Sequence, residues 1–92
     1  MKKVSQNNIG TPLIFEWSRA FDAAATLTME VVKPGGAGTV TIPAAIHPES
    51  PAWAVAYSRA GDLDTLGEHE ARVREVGGST DVRTLPDTFT VV

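Results

Sequence analysis

The chain has no cysteine. No disulfide framework, iron–sulfur cluster or thiolate zinc site can hold it together. Packing alone must stabilise the fold, and the absence fits assembly in a reducing cytoplasm. Long apolar runs are also missing, and no stretch approaches the roughly 20 residues of a membrane-spanning helix. Basic charge is in deficit: Lys and Arg number 8 against 11 Asp and Glu, for a formal net charge of −3. A nucleic-acid binder carries a basic face instead. Lys2-Lys3 is the one adjacent basic pair. Met1-Lys2-Lys3 opens as a signal peptide does, but Ser5-Gln6-Asn7-Asn8 stands where an apolar stretch is required. No Asn-x-Ser/Thr acceptor is present. These absences argue against a nucleic-acid partner, a membrane partner and export.

What is there suits a small packed domain. The length of 92 residues is enough for one core and too short for two. Apolar residues make up 42% and charged residues 21%, which excludes a disordered chain. Residues 1–10 are polar, end in Gly10 and read as a flexible arm that orders on a partner. Residues 11–92 are the expected folded domain.

Turn formers recur along that domain: Lys33-Pro34-Gly35-Gly36, Pro43, Pro48 to Pro51, Gly61, Gly67, Gly77-Gly78 and Pro86. The segments between them are short and alternate. Leu13, Phe15 and Trp17 share one face; so do Leu27, Met29 and Val31, then Trp53, Val55 and Tyr57, then Phe89 and Val91. Period-2 alternation is what a half-buried strand needs. Thr39 to Ile42 and Thr80 to Thr84 are shorter strand candidates. Many short strands at this spacing predict an all-β sandwich or barrel. Its core would bury both tryptophans, Met29, Tyr57 and Phe89.

Two segments read either way. Thr65-Leu66-Gly67-Glu68 matches a helix capping box. A helix there has a poor apolar stripe. A strand turns Glu68, Glu70, Arg72 and Arg74 outward and His69, Ala71 and Val73 inward, with Gly77-Gly78 as the hairpin turn, and fits better. Residues 18–25 could hold a helical turn. The charged run Glu68, Glu70, Arg72, Arg74 and Glu75 reads as a solvated face.

Candidate chemistry is thin. Asp62, Asp64, Glu68, His69 and Glu70 could hold a hard cation, but the helix-loop-helix calcium template fails at Leu66 and Val73. The plainer reading has Asp62 and Asp64 capping turns. His69-Glu70 lacks the second His of a zinc protease motif, and His47 is the one other histidine. None of Ser18, Ser50, Ser58 and Ser79 sits in a nucleophile elbow. Gly35-Gly36-Ala37-Gly38 lacks the ending of a phosphate loop. No catalytic, cofactor-binding or metal-binding residue is therefore assigned, and no cofactor is expected. Trp17, Trp53 and Tyr57 could stack on a sugar, with core packing as the plain alternative.

The order of strands and turns resembles a known family. The features are Gly10-Thr11-Pro12-Leu13-Ile14-Phe15; Ala25 to Val32 running into Lys33-Pro34-Gly35-Gly36; Trp53 to Tyr57 before Gly61 to Gly67; and Thr84-Leu85-Pro86 before Phe89 to Val92. Together they resemble the immunoglobulin-like antiparallel β-sandwich, of about seven strands, found in the N-terminal domain of phage baseplate upper proteins. His69 stands where such domains often place an aromatic. The resemblance implies a non-enzymatic structural protein of a tailed bacteriophage virion, assembled in the host cytoplasm. It would sit in the tail or baseplate, or decorate the head capsid. It would dock on other virion proteins and repeat around the particle as a homo-oligomer. The alternative is a stand-alone module binding carbohydrate or a host surface.

Overall fold

The alternating segments become extended chain. A computed structural model describes residues 3–92. Eight strands follow in chain order: β1 (Lys3–Val4), β2 (Pro12–Glu16), β3 (Thr26–Val32), β4 (Thr39–Ile46), β5 (Trp53–Tyr57), β6 (Gly67–Gly77), β7 (Thr80–Arg83) and β8 (Asp87–Val91). The one helical piece among the described residues is a 3-10 turn, Pro34–Gly36, at the tip of the β3–β4 hairpin. The domain is all-β, and none of its described helical structure is long and apolar enough to cross a membrane.

The strands form one sheet in the order β1-β8-β6-β3-β4-β5-β2, with β7 also paired to β6. Every pairing is antiparallel except that of β1 with β8, which is parallel. The sheet is therefore mixed, where antiparallel pairing throughout was expected. It curls into a half-barrel, and its concave face is the core. β6 is long enough to take β3 on one side while β8 and β7 share the other. Around the barrel centre Met29, Val31, Ile42, Ala71 and Val73 are buried, with Phe21 and Leu63 added from loops.

The segment expected as a free arm is bonded to the domain from Lys3 onward; Met1 and Lys2 lie outside the described residues. Lys3 and Val4 pair with Thr90 and Val91. Val92 N–H donates to Val4 C=O and Gln6 N–H to Val92 C=O, both at 2.9 Å; Asn7 N–H reaches Leu63 C=O at 2.8 Å and Gly10 N–H reaches Ser58 C=O at 2.7 Å. Polar side chains at Ser5 to Asn8 mark exposure to water. They do not forbid the backbone from finding partners.

β5 departs from the expected facing at its two aromatics, while Val55 between them is buried. Ala54 and Ala56 are fully buried, while Tyr57 is 59% exposed and Trp53 only partly covered. The cause is the register. Ala54 lies opposite Phe15 and Ala56 opposite Leu13, and both of those large side chains enter the core. Where a sheet bends sharply its concave side is crowded, so the small residues take it. Alternation alone gives two faces; it does not say which is inside.

The ambiguous segment is strand β6, with His69, Ala71 and Val73 inward as expected. Glu75 continues that parity and is 2% exposed, so it does not belong to a solvated face. The β6–β7 hairpin turns through Gly78 and Ser79, with Gly78 at φ +51°, a conformation glycine adopts without steric cost. Gly77 needs its bareness for another reason: a Cβ there would lie 3.1 Å from Ala25. Residues 18–25 form no helix, only a turn closed by Ala25 N–H to Asp22 C=O at 3.0 Å. Pro43 lies inside β4, where β5 pairs only from Ala44 onward, so the missing N–H falls on an open edge.

Met29→Ala should empty the centre of the core and cost about 2–5 kcal/mol in urea unfolding. Tyr57→Ala should cost less than about 0.5 kcal/mol. Equal losses in the two variants would contradict this assignment of faces.

Candidate functional site

The acidic cluster nominated by the sequence is dispersed into structural roles. Asp62 is buried, and its Oδ2 accepts the Arg59 backbone N–H at 2.7 Å and Arg59 Nε at 3.0 Å. Lys33 Nζ donates to Asp64 Oδ1 and to Gly61 C=O, both at 2.8 Å. Those bonds tie the β3–β4 hairpin to the loop before β6. The Lys33 ammonium, followed by the Thr65 hydroxyl, holds the Asp64 carboxyl below its usual range. Glu68 and Glu70 point outward while His69 points into the barrel. Among the described residues no three His, Cys, Asp or Glu side chains come together as a metal site would require. The other histidine, His47, has its Nδ1 accepting Glu49 N–H at 3.0 Å and its ring edge-on to Trp53.

The nominated serines are built into turns or the surface. Ser58 is buried; its Oγ donates to Asn8 C=O at 2.9 Å and accepts Thr11 N–H at 3.0 Å, clipping residues 8–11 to the end of β5. Ser50 Oγ accepts Ala52 N–H at 3.2 Å. Ser18 and Ser79 are exposed.

Two ionisable side chains point into the core from β6. Glu75 accepts Asp22 N–H at 2.8 Å and lies 3.5 Å from Arg19 Nη2. Arg19 in turn stacks over Trp17, with 3.9 Å from its guanidinium carbon to the ring centroid, and Trp17 leans on Phe21. Glu75 thus anchors the 18–25 loop over one end of the barrel. His69 stacks on Phe89 with ring centroids 5.0 Å apart. Its Nδ1 lies 3.0 Å from Gly67 C=O, an acceptor, so Nδ1 carries the proton. Nε2 is buried without a hydrogen-bond partner.

Trp17, Trp53 and Tyr57 do not make one platform. Arg19 covers a face of Trp17. Trp53 and Tyr57 share the convex side of β5 but stand at opposite ends of that strand, some 13 Å apart at about 3.3 Å per residue.

A concave feature lies where the half-barrel fails to close. A groove of about 600 Å³ runs between β2 on one wall and β1 with β8 on the other. Thr11 to Ile14, Glu16 and Trp53 line one side; Lys3, Val4, Asp87 and Phe89 line the other. Asp87 accepts Thr88 N–H, and that bond keeps its carboxyl below the usual range. None of Lys3, Ile14, Glu16 or Asp87 stood out in the sequence as a site residue. The available signal was β2 itself: a proline at the first position of a strand marks an edge, and Leu13-Ile14-Phe15 is an uncharged run on it.

Comparison with protein-family models, with curated proteins and with solved structures gives no match.

His69→Phe removes the partnerless nitrogen and keeps the stack on Phe89. It should raise stability by about 1 kcal/mol, read by urea unfolding. A loss of that size would mean the bond to Gly67 outweighs the orphan. A second expectation concerns acid. Asp64 is depressed by Lys33, and Asp81 is depressed by Arg74, which grips it through Nε at 2.9 Å and Nη2 at 2.7 Å. For a depressed carboxylate, the stabilisation is complete above the unfolded value of about 3.9 and lost as pH falls through the lower folded value. The double variant Asp64→Asn, Asp81→Asn should therefore show a flatter stability curve below about pH 4 than the parent. Curves of equal slope would sink the assignment.

Proposed function

We propose that this chain is a non-enzymatic structural protein that works by docking on other proteins, within the particle of a tailed bacteriophage. The observation that carries the docking reading is the open seam: an apolar groove flanked by a sheet edge, on a small domain in which Asp62, His47, Ser50 and Ser58 hold turns. Sheet edges of this kind recruit extended chains through main-chain hydrogen bonds. The phage setting, in tail, baseplate or head decoration, is supported by the resemblance to the baseplate upper domain. So is the finer fold reading, in which β2, β5 and β4 form one layer of an immunoglobulin-like sandwich and β3, β6 and β8 the other. Repetition around a symmetric particle would convert weak single contacts into firm attachment.

The exposed Tyr57 on the convex face favours a second reading, a carbohydrate or host-surface binding module. Two measurements separate them. Purified particles of the encoding phage should contain the chain in their protein profile and bind antibody raised against it in immunogold microscopy. A glycan array should stay blank. Particles without the chain, together with glycan binding lost in Tyr57→Ala, would replace the first reading with the second.

A further inference from the structure

We infer that the seam receives an extended strand from a partner protein, running antiparallel to β2 and entering with a positively charged residue opposite Glu16. The inference rests on the docking reading above and assigns it a place and a chemistry.

Hydrogen-bond parity supplies the first argument. At the two ends of the β2–β5 ladder, Ser58 N–H donates to Thr11 C=O at 3.0 Å and Trp17 N–H donates to Ala52 C=O at 2.8 Å. Antiparallel pairing alternates, so the main-chain groups of Leu13 and Phe15 also face β5. Those of Ile14 and Glu16 turn the other way, into the seam, together with Pro12 C=O. A row of donors and acceptors thus borders an apolar groove without partners among the described residues.

The other open edges are blunted in ways that edges usually are. On β4, Arg59 Nη2 occupies Thr41 C=O at 2.9 Å, and Pro43 has no N–H to offer. β7 is 4 residues long, and its Asp81 and Arg83 are paired to Arg74 and Glu30. On β8, Val4 and Gln6 take up Val92, and the Asp87 side chain occupies Thr88 N–H. β1, at the far end of the sheet, is 2 residues long, and among the described edges only β2 keeps an undefended middle.

Size and charge narrow the occupant. The groove volume of about 600 Å³ falls within the roughly 300–1,000 Å³ range of ligand sites. Side chains of the occupant that point inward would meet Leu13, Val4 and Phe89. Glu16 is exposed, lines the groove and has no ion-pair partner among the described residues; Lys3 lines the opposite wall. Antiparallel pairing, the more stable geometry per residue, puts the start of the incoming strand beside Glu16, where a lysine or a free α-amino group completes the charge.

The test uses the whole chain and a synthetic probe, Lys-Val-Thr-Val-Thr-Val carrying fluorescein at its C-terminal end. Anisotropy should show saturable binding, and hydrogen exchange should show protection of the Ile14 and Glu16 amides. N-methylation of alternate probe residues should abolish binding in one phase and spare it in the other. Replacing the probe lysine with aspartate should weaken binding at least tenfold, and Glu16→Lys in the protein should invert that preference. No saturable binding, unprotected Ile14 and Glu16 amides, or equal loss from both N-methyl phases would overturn the seam as the docking site. A chain that still enters particles after that failure would leave the docking reading standing and the seam proposal refuted.

Discussion

One sheet has to bury one of its own faces, and every other feature of this domain follows from how it does so. With no α-helix among the described residues to cover it, the sheet must roll until its two ends approach. Rolling crowds the concave side, which is why Ala54, Ala56 and Ala71 occupy it opposite larger partners such as Phe15, Leu13 and Val31. The same demand explains the length of β6. A strand running from Gly67 to Gly77 spans the barrel wall and lends one flank to two different strands. Burial of that face supplies most of the driving force, at roughly 25 cal/mol per Å² of apolar surface removed from water.

The strands themselves were legible because alternation and turn residues are local signals. Leu27 to Val32, Trp53 to Tyr57 and Phe89 to Val91 fall where their periodicity puts them, and the hairpin turns one residue on from the Gly77-Gly78 pair, through Gly78 and Ser79. What could not be read is what local patterns do not contain. The inward side of β5 depends on curvature set by partners elsewhere in the chain, so the alanines and not the aromatics went inside. The burial of Glu75 depends on Asp22 and Arg19, far away in sequence. The pairing of Lys3 and Val4 depends on a vacant edge of β8. The seam belongs to the same class: it is a relation between β2 and the opposite end of the sheet, and no motif in either strand announces it.

The polar groups of the interior show how the domain tolerates its own irregularities. Glu75 is satisfied by a backbone N–H and tied to a cation–π stack, so its burial fixes the path of a loop. His69 is half satisfied. It sits at an aromatic-lined position and leaves one nitrogen with nothing to bond. An unmet group in a core is a standing cost. It lies on β6 directly across from Phe89, whose other neighbour is the groove, so the least settled part of the interior adjoins the least closed part of the sheet.

The parallel contact between β1 and β8 joins the first and the eighth strand. Loop-closure entropy rises with the logarithm of the intervening length, by roughly 0.6 kcal/mol per doubling, and this contact joins Lys3 to Thr90 across all the other strands. Such distant pairings cannot form until the intervening hairpins are in place, and they slow folding in proportion to their share of the contacts. During synthesis β1 emerges before the other seven strands and must wait for β8. Until then the β1–β8 wall of the groove is incomplete, so a nascent or partly frayed molecule would expose the core from the side that a partner strand would later cover.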